Sequence, residues 1–450
     1  MIGDRMKTVA FCSGQSESEK CDEHVRKGGF ASGNLPFRRK QTRLSAANFK
    51  ALARELLLSG STEKGESDNM NISTFAAANK LVTGRDSLAL LAEEVARLGV
   101  QRPLIVTDHI LIQAGVVAQV EELLPMKAGI FPDVNPEPEI EIVDLCVRMI
   151  RAGSYDGLIA VGGGSAIDIA KAAAVMATNE GSIEQYFGTN LVKQPGLPLI
   201  AIPTTAGTGS EVTNISILSD TKEQVKKGIV SPYLLPDVAI VSPMMTLTCP
   251  PSVTAASGVD ALVHAVEAYI SKFASPVTDA LAIGAMKLIA VHLPKAYAAP
   301  DNIESREAMI TAALMAGLAF GNAGVGAVHA LAYPLGGRFH MAHGVSNSLL
   351  LPYVMRTNKI ACLEKLGDIA RALGENTTGL SLDEAAEKAI EAMTRLCRYV
   401  EIPQSLREFN IPETALAEMA EEAMKQTRLL KNNPRTLRKK DIEDIYRAAY

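Results

Sequence analysis

Gly157-Leu-Ile-Ala-Val161-Gly162-Gly163-Gly164-Ser165, running directly into Ala166 to Ala177, is the stretch on which the fold turns. A short continuous apolar run closed by glycines reads as a strand buried on both faces, and the alanine-rich segment behind it as a helix. Upstream, Asp86 to Leu98 has helical periodicity, Pro103-Leu-Ile-Val-Thr-Asp108 reads as a second buried strand, and Gly115 to Leu124 and Glu139 to Ala152 read as helices around the loop Asp133-Val-Asn-Pro-Glu-Pro138. Downstream, Leu197 to Ile202 and Val238 to Val241 are further short strands. Strand, helix, strand at this spacing predicts a parallel sheet covered on both faces. After Pro250 and Pro251 the period lengthens, and Thr254 to Tyr269, Val277 to Leu293, Ser305 to Phe320 and Leu382 to Cys397 all read as helices with no convincing strand among them. The expected architecture is therefore α/β plus all-α: a Rossmann-like cofactor domain over 71–249, a helical metal-binding domain over 250–450, and an active site in the cleft between them.

A chain of 450 residues exceeds what one hydrophobic core usually supports, which fits two domains. The formal net charge of -5, with no basic stripe in the main body, speaks against nucleic acid as a partner. Cysteines at 12, 21, 146, 249, 362 and 397 form no CxxC pair, so reduced structural thiols are expected rather than a disulfide framework. Apolar runs fall short of the roughly 20 residues needed to cross a bilayer. The opening MIGDRMKTVAFCSGQ lacks the apolar stretch of a secretory signal, giving a cytoplasmic protein as the expectation. Residues 1–70 differ from the rest: they mix Gly, Ser and charge, include a basic run at Arg38, Arg39, Lys40 and Arg43, and hold one amphipathic stretch from Ser45 to Leu58. They are expected to be a weakly attached extension, with a helical accessory piece or a targeting segment as alternatives.

Glycines at 162, 163 and 164, followed by Ser165, let a backbone approach a ligand closely, and the first helical N–H groups point at whatever lies beyond. An anion suits that place, most economically a pyrophosphate, although a plain tight turn reads the same way. Pro203-Thr204-Thr205-Ala206-Gly207-Thr208-Gly209-Ser210-Glu211 also follows an apolar strand and concentrates hydroxyls suited to phosphate, ribose and amide groups. Two such loops at the ends of parallel strands converge on one crevice. At the end of an earlier strand, Asp108 would accept from the ribose hydroxyls of an adenosine and repel a 2'-phosphate, or it would simply cap the next helix. Asp260 and His264, four apart in a helical stretch, present both side chains on one face. With His329 and His343 they make an N/O donor set suited to Fe(II), Zn(II), Mn(II) or Co(II).

These motifs carry a family likeness. GGGSAIDIAK at 162–171, PTTAGTGSEVT at 203–213, GVDALVHAVEAY at 258–269, VHALAYPLGGRFHMAHG at 328–344 and the C-terminal NNPRTLRKKDIEDIYRAAY resemble the iron-dependent, or group III, alcohol dehydrogenases, whose fold is shared with dehydroquinate synthase and glycerol dehydrogenase. The likeness covers residues from about 71 onward. It implies hydride transfer between NAD(H), favoured over NADP(H), and an alcohol or its aldehyde or ketone, with Fe(II) as the metal and Zn(II) as the alternative. It implies Asp260, His264, His329 and His343 as ligands; Gly162, Gly163, Gly164, Ser165 and Asp168 at the pyrophosphate; Thr204, Thr205 and Thr208 beside the nicotinamide; Leu247 beneath the cofactor; Lys227 at its ribose; and Asp108 at the adenosine. Many members carry a histidine four residues after the third ligand, where this chain has Tyr333. Tyr333 and His340 are thus the candidates for moving the alcohol proton. Arg338 is a candidate for an anionic substrate or for a salt bridge. A homodimer or larger homo-oligomer is expected. A dehydroquinate synthase-like or glycerol dehydrogenase-like enzyme and a non-catalytic binding protein are the rival readings.

Overall fold

The computed structural model describes residues 73–223 and 225–450. The expectations for residues 1–70 lie outside the described residues. Strands β1 (Lys80–Thr83), β2 (Pro103–Val106), β3 (Gly129–Phe131), β4 (Gly157–Gly162), β6 (Leu199–Pro203) and β9 (Val238–Val241) form one sheet in the order β1-β9-β6-β4-β2-β3, every neighbour parallel. A smaller sheet, β5-β8-β7, is built from β5 (Gly188–Thr189), β7 (Ile215–Asp220) and β8 (Val225–Val230).

Alternation along the central strands explains why the large sheet is covered on both sides. Leu104, Val106, Leu158, Ala160, Leu199 and Ala201 enter one buried cluster, shared with the helices Ile140–Gly153 and Gly164–Thr178. Ile105, Ile159, Val161, Ile200 and Ile202 enter another on the opposite face, against Leu91, Val95, Val116 and Val120. Successive side chains point to opposite faces, so a run with no polar alternation needs two apolar layers. Each large aliphatic residue so buried contributes about 1.5–3 kcal/mol.

Five strands, β1, β3, β5, β7 and β8, escape a reading by apolar runs. β1 lies on the sheet edge with only Val82 buried, β3 has three residues, and the hairpin β7–β8 carries Ser219, Asp220, Lys226 and Lys227. Among the described residues every strand precedes Ser242, and helices follow from Pro251.

The helix Pro251–Ile270 is the axis of the second half, with fifteen of its residues buried. It starts on a proline, whose missing N–H costs nothing at that position. Pro276–Ala298 also starts on a proline and is closed by the Ser275–Thr278 capping box. By length and composition this helix could cross a membrane; here Ala282, Ala285, Met286, Ile289 and Leu293 join the helical core instead. Ile303–Ala323 then packs beside it, and after a break at 324–326 the chain turns through 102° into Ala327–Phe339. A further helix, His343–Asn358, follows.

Candidate active site

Three helices bring four donors to one point. Asp260 and His264 lie one turn apart on Pro251–Ile270, His329 is in the first turn of Ala327–Phe339, and His343 opens His343–Asn358. One ligand atom from each lies within 4.8 Å of the others, and all but the half-buried His343 are buried. Neighbouring groups aim them. Glu267, one turn beyond His264, takes the Nδ1–H of His329 at 2.7 Å and the backbone N–H of Val328 at 2.7 Å. The Nδ1–H of His264 donates to the carbonyl of Gly207 at 3.3 Å, and Phe320 stacks on its ring with centroids 4.2 Å apart. Each of these two imidazoles therefore keeps its Nε2 lone pair for the shared point, the arrangement by which a carboxylate or carbonyl fixes a metal-binding tautomer. Asn347, a turn after His343, places its Nδ2 among three acceptors: Asp260 Oδ1 at 2.7 Å, His343 Nε2 at 3.1 Å and His329 Nε2 at 3.2 Å. An amide nitrogen has two hydrogens for those three acceptors, and the Asn347 Oδ1 is buried without a partner. Acceptors crowding one donor mark a place for a cation, and one oxygen with three imidazoles fits a divalent transition metal.

Burial lowers His264 to about 4 and His343 to about 3, only partly offset by Asp260. Burial alone would raise Asp260, but His264, His343, His329 and the Asn347 amide together hold it below its ordinary value. At neutral pH Asp260 is therefore a carboxylate and His264 and His343 are neutral imidazoles, the protonation state that binds metal.

The opposite wall comes from the sheet. Gly162 on β4 pairs with Pro203 on β6, so the two glycine-rich turns leave the sheet side by side. A Cβ on Gly162 would lie 2.6 Å from Ala166 Cβ, and one on Gly164 would lie 2.9 Å from Thr208 Cγ2. Gly163 precedes the helix Gly164–Thr178 without a side-chain cap, leaving its first N–H groups for a ligand. Thr205 and Thr208 are half-buried beside these glycines, and Thr204 is buried. Ser165 donates to the Pro136 carbonyl at 2.6 Å, tying the turn to the loop 133–138.

Asp168 is not in the turn but one turn into the helix, where its Oδ2 takes the Ile217 N–H at 2.9 Å and its Oδ1 has no partner. Burial raises it to about 6, against the pull of Lys171. Lys171 is wholly buried and donates to the carbonyls of Thr213 and Ile215 at 2.7 and 3.0 Å. One cleft, about 890 Å³ counting the solvent at its mouth, joins Gly164, Ser165, Asp168 and Thr208 to the four metal donors.

Several expected residues sit elsewhere. Lys227 is not brought to the cleft; it pairs with Asp220 and Glu223 at 2.7 and 2.8 Å, while its neighbour Lys226 lines the cleft and pairs with Glu137 at 2.7 Å. Adjacent strand residues face opposite ways, so a one-residue difference decides the matter. His340 ends its helix at φ 53 with an exposed side chain and does not line the cleft, whereas Tyr333 does. Arg338 bonds Glu418 and Glu422, and the guanidinium in the cleft belongs to Arg428. Asp108 caps the helix His109–Gln113 through the Leu111 N–H at 2.9 Å. Leu247 is half-buried just beyond the short helix Pro243–Thr246 and is not among the cleft residues. Glu267 and Asn347 escaped the sequence reading, although their spacings, three beyond His264 and four beyond His343, put each on its ligand's helix face.

The geometry agrees with what the chain resembles. Residues 78–243 match the family model described as iron-containing alcohol dehydrogenase, and residues 254–450 match its C-terminal counterpart. The long-chain-alcohol dehydrogenase 1 of Geobacillus thermodenitrificans is 48% identical over 373 residues, 82% of this chain and 94% of that protein. The crystal structure of a 1,3-propanediol oxidoreductase superimposes with a TM-score of 0.83 at 43% identity, covering 84% of this chain and all of the other. A sulfoacetaldehyde reductase from Bifidobacterium kashiwanohense, solved in complex with NAD+, superimposes with a TM-score of 0.76 at 31% identity, covering 84% and 98%. With both halves matched and the relatives spanned almost end to end, the chain belongs to the iron-containing alcohol dehydrogenase family.

Proposed function

We propose that this chain interconverts a primary alcohol and its aldehyde with NAD(H), using one divalent ion, iron before zinc, at Asp260, His264, His329 and His343. The observation that carries the reading is the single cleft in which this donor set faces the two glycine-rich turns. When bound, the ion supplies Lewis acidity toward a substrate oxygen.

The chain's own residues supply the rest. Free N–H groups at the start of Gly164–Thr178 hold the cofactor's pyrophosphate, with Thr205 and Thr208 beside the glycines for the nicotinamide half. Phe320, Val325, Ile215 and Leu429 wall the cleft with apolar surface and keep bulk water from the reacting carbon. The alcohol proton leaves by way of Tyr333 or cleft water, and His340 is too exposed for that task. Burial raises the Tyr333 hydroxyl, so it stays protonated at neutral pH and can take up the alcohol proton only by passing its own on to cleft water. Asp108 at the end of β2 favours NAD(H) over NADP(H), by repelling a 2'-phosphate. The NAD+ complex of the sulfoacetaldehyde reductase supports the same choice. A soluble cytoplasmic homo-oligomer is part of the proposal; free buried thiols at Cys146, Cys249, Cys362 and Cys397 fit a reducing compartment.

A second reading, a substrate with an anionic far end, is favoured by Arg428, which is half-buried in the cleft with no acidic partner among the described residues. The dehydroquinate synthase-like reading needs a phosphate pocket rich in cations, and of the two cleft cations Lys226 is already engaged by Glu137. The test is anaerobic reconstitution with Fe(II) or Zn(II), followed by NADH or NADPH oxidation against plain aldehydes and aldehydes bearing a carboxylate or sulfonate. Oxidation of NADH at least tenfold more efficient than that of NADPH is expected, and no oxidation with any aldehyde would remove the reading.

A further inference from the structure

The turn 203–211 faces two sites at once. Thr205 and Thr208 lie against Gly163 and Gly164 on the cofactor side. Between them, the Gly207 carbonyl accepts the Nδ1–H of His264 and so sets which nitrogen of that ligand faces the ion. Two residues later Gly209, in the left-handed region at φ +61, is seated on the backbone of the helix Ile303–Ala323: a Cβ placed on Gly317 would lie 2.8 Å from Gly209 Cα and 3.1 Å from its carbonyl oxygen. Gly207 is equally close to Ser257, with a Cβ there meeting its backbone oxygen at 2.7 Å. Lys171 anchors the far end through Thr213 and Ile215. Backbone meets backbone where Gly209 sits on Gly317, with the Val212 side chain packed alongside at 2.9 Å from that Cβ position, so little slack is left to absorb a displacement and motion on one side of the turn is transmitted to the other.

We infer that the segment Gly207–Gly209 couples the cofactor and metal sites: cofactor seated against Thr205 and Thr208 holds the Gly207 carbonyl on His264 and tightens the metal site, and the metal tightens cofactor binding by the same factor. Reciprocity is thermodynamic, because both affinities refer to one placement of the turn. Gly317 is thereby a positioning residue that touches neither ligand. The inference rests on the proposed NAD(H) cofactor.

The test measures two binding constants rather than turnover. NADH affinity is followed by its fluorescence in chelator-treated and Zn(II)-loaded protein, and Zn(II) affinity by competition with a chromophoric chelator, with and without NADH. In the parent enzyme each ligand should tighten the other by the same factor, about fivefold or more. Gly317→Ala adds a methyl group to a helix that otherwise favours alanine, and pushes Gly209 away. It should weaken Zn(II) binding and bring the coupling factor close to one. Gly321→Ala, one turn along, would meet only the Thr213 side chain, at 3.3 Å, and should keep the coupling. Equal affinities in the parent with and without the other ligand, or coupling undiminished in Gly317→Ala, overturn the inference. NADH that fails to bind in any state overturns the cofactor proposal itself.

Discussion

Replacing Glu267 by Gln changes one atom and tests how the metal site is held. The carboxylate accepts two short hydrogen bonds, from His329 Nδ1–H and from Val328 N–H, each 2.7 Å, and the residue is 2% exposed. A carboxamide offers one acceptor and one donor, so one of those N–H groups would face an N–H instead. If the amide oxygen stays with Val328, His329 is left free to adopt the tautomer whose Nε2 carries a proton and cannot bind metal. If it stays with His329, a buried backbone N–H is orphaned. A hydrogen bond to a charged acceptor is worth about 1.5–3 kcal/mol, and stranding a buried donor costs about 1–3 kcal/mol. Either route gives a loss of about 10–100-fold in metal affinity, the usual effect of removing the group that orients a metal-bound histidine. The assay is chelator competition on parent and Glu267→Gln, with the melting temperature of the metal-free proteins recorded alongside. Unchanged metal affinity would refute the orienting role, and equal falls in stability of metal-free and loaded protein would make Glu267 a packing residue only.

Three further outcomes are expected. His343→Ala, which deletes a half-buried ligand, should leave a folded protein with metal content below one-tenth of the parent's and little turnover; full occupancy by elemental analysis would contradict the ligand assignment. Asp108→Gly should narrow the preference for NAD over NADP at least several-fold by improving NADP use, and because glycine is itself a tolerated N-cap the stability should shift by only a few tenths of a kcal/mol; an unchanged ratio in steady-state kinetics would confine Asp108 to the cap at Leu111. Glu211 is buried and burial raises its carboxyl to about 7. The folded chain therefore keeps a proton there that the unfolded chain gives up near 4.5, and this contribution, complete below that value, is lost as pH rises through about 7. The melting temperature of Glu211→Gln relative to the parent should rise between those pH values and level off above them; a flat difference would show that Glu211 ionises freely in the fold.

The sequence shows most clearly what is buried without compromise. β2, β4, β6 and β9 are apolar on both faces, so their runs stand out, and the glycines after β4 and β6 mark where the cofactor turns begin. The i, i+4 spacing of Asp260 and His264 fixes half the metal site, because a helix face is readable from spacing. What escapes is whatever depends on pairing or on distant partners. Placing Lys226 in the cleft and Lys227 outside it needs the register Ser219↔Lys226 and Leu218↔Lys227, which only the folded hairpin supplies. Arg338 and Arg428 look alike in sequence, and Glu418 and Glu422, some eighty residues from Arg338, decide which is engaged. Glu267 lay within a quoted motif, but its role requires His329, brought back sixty-two residues later by the turn at 324–326.

The proposed chemistry requires one ion where the Asn347 amide now bridges Asp260, His329 and His343. The most direct measurement is a crystal structure of metal-loaded protein with anomalous scattering recorded at the iron or zinc edge. A single peak is predicted at about 2.0–2.2 Å from an Asp260 oxygen and one nitrogen of each of His264, His329 and His343, with the Asn347 nitrogen moved off that point. A peak elsewhere, or none at this site in crystals of protein that turns over, would contradict the account.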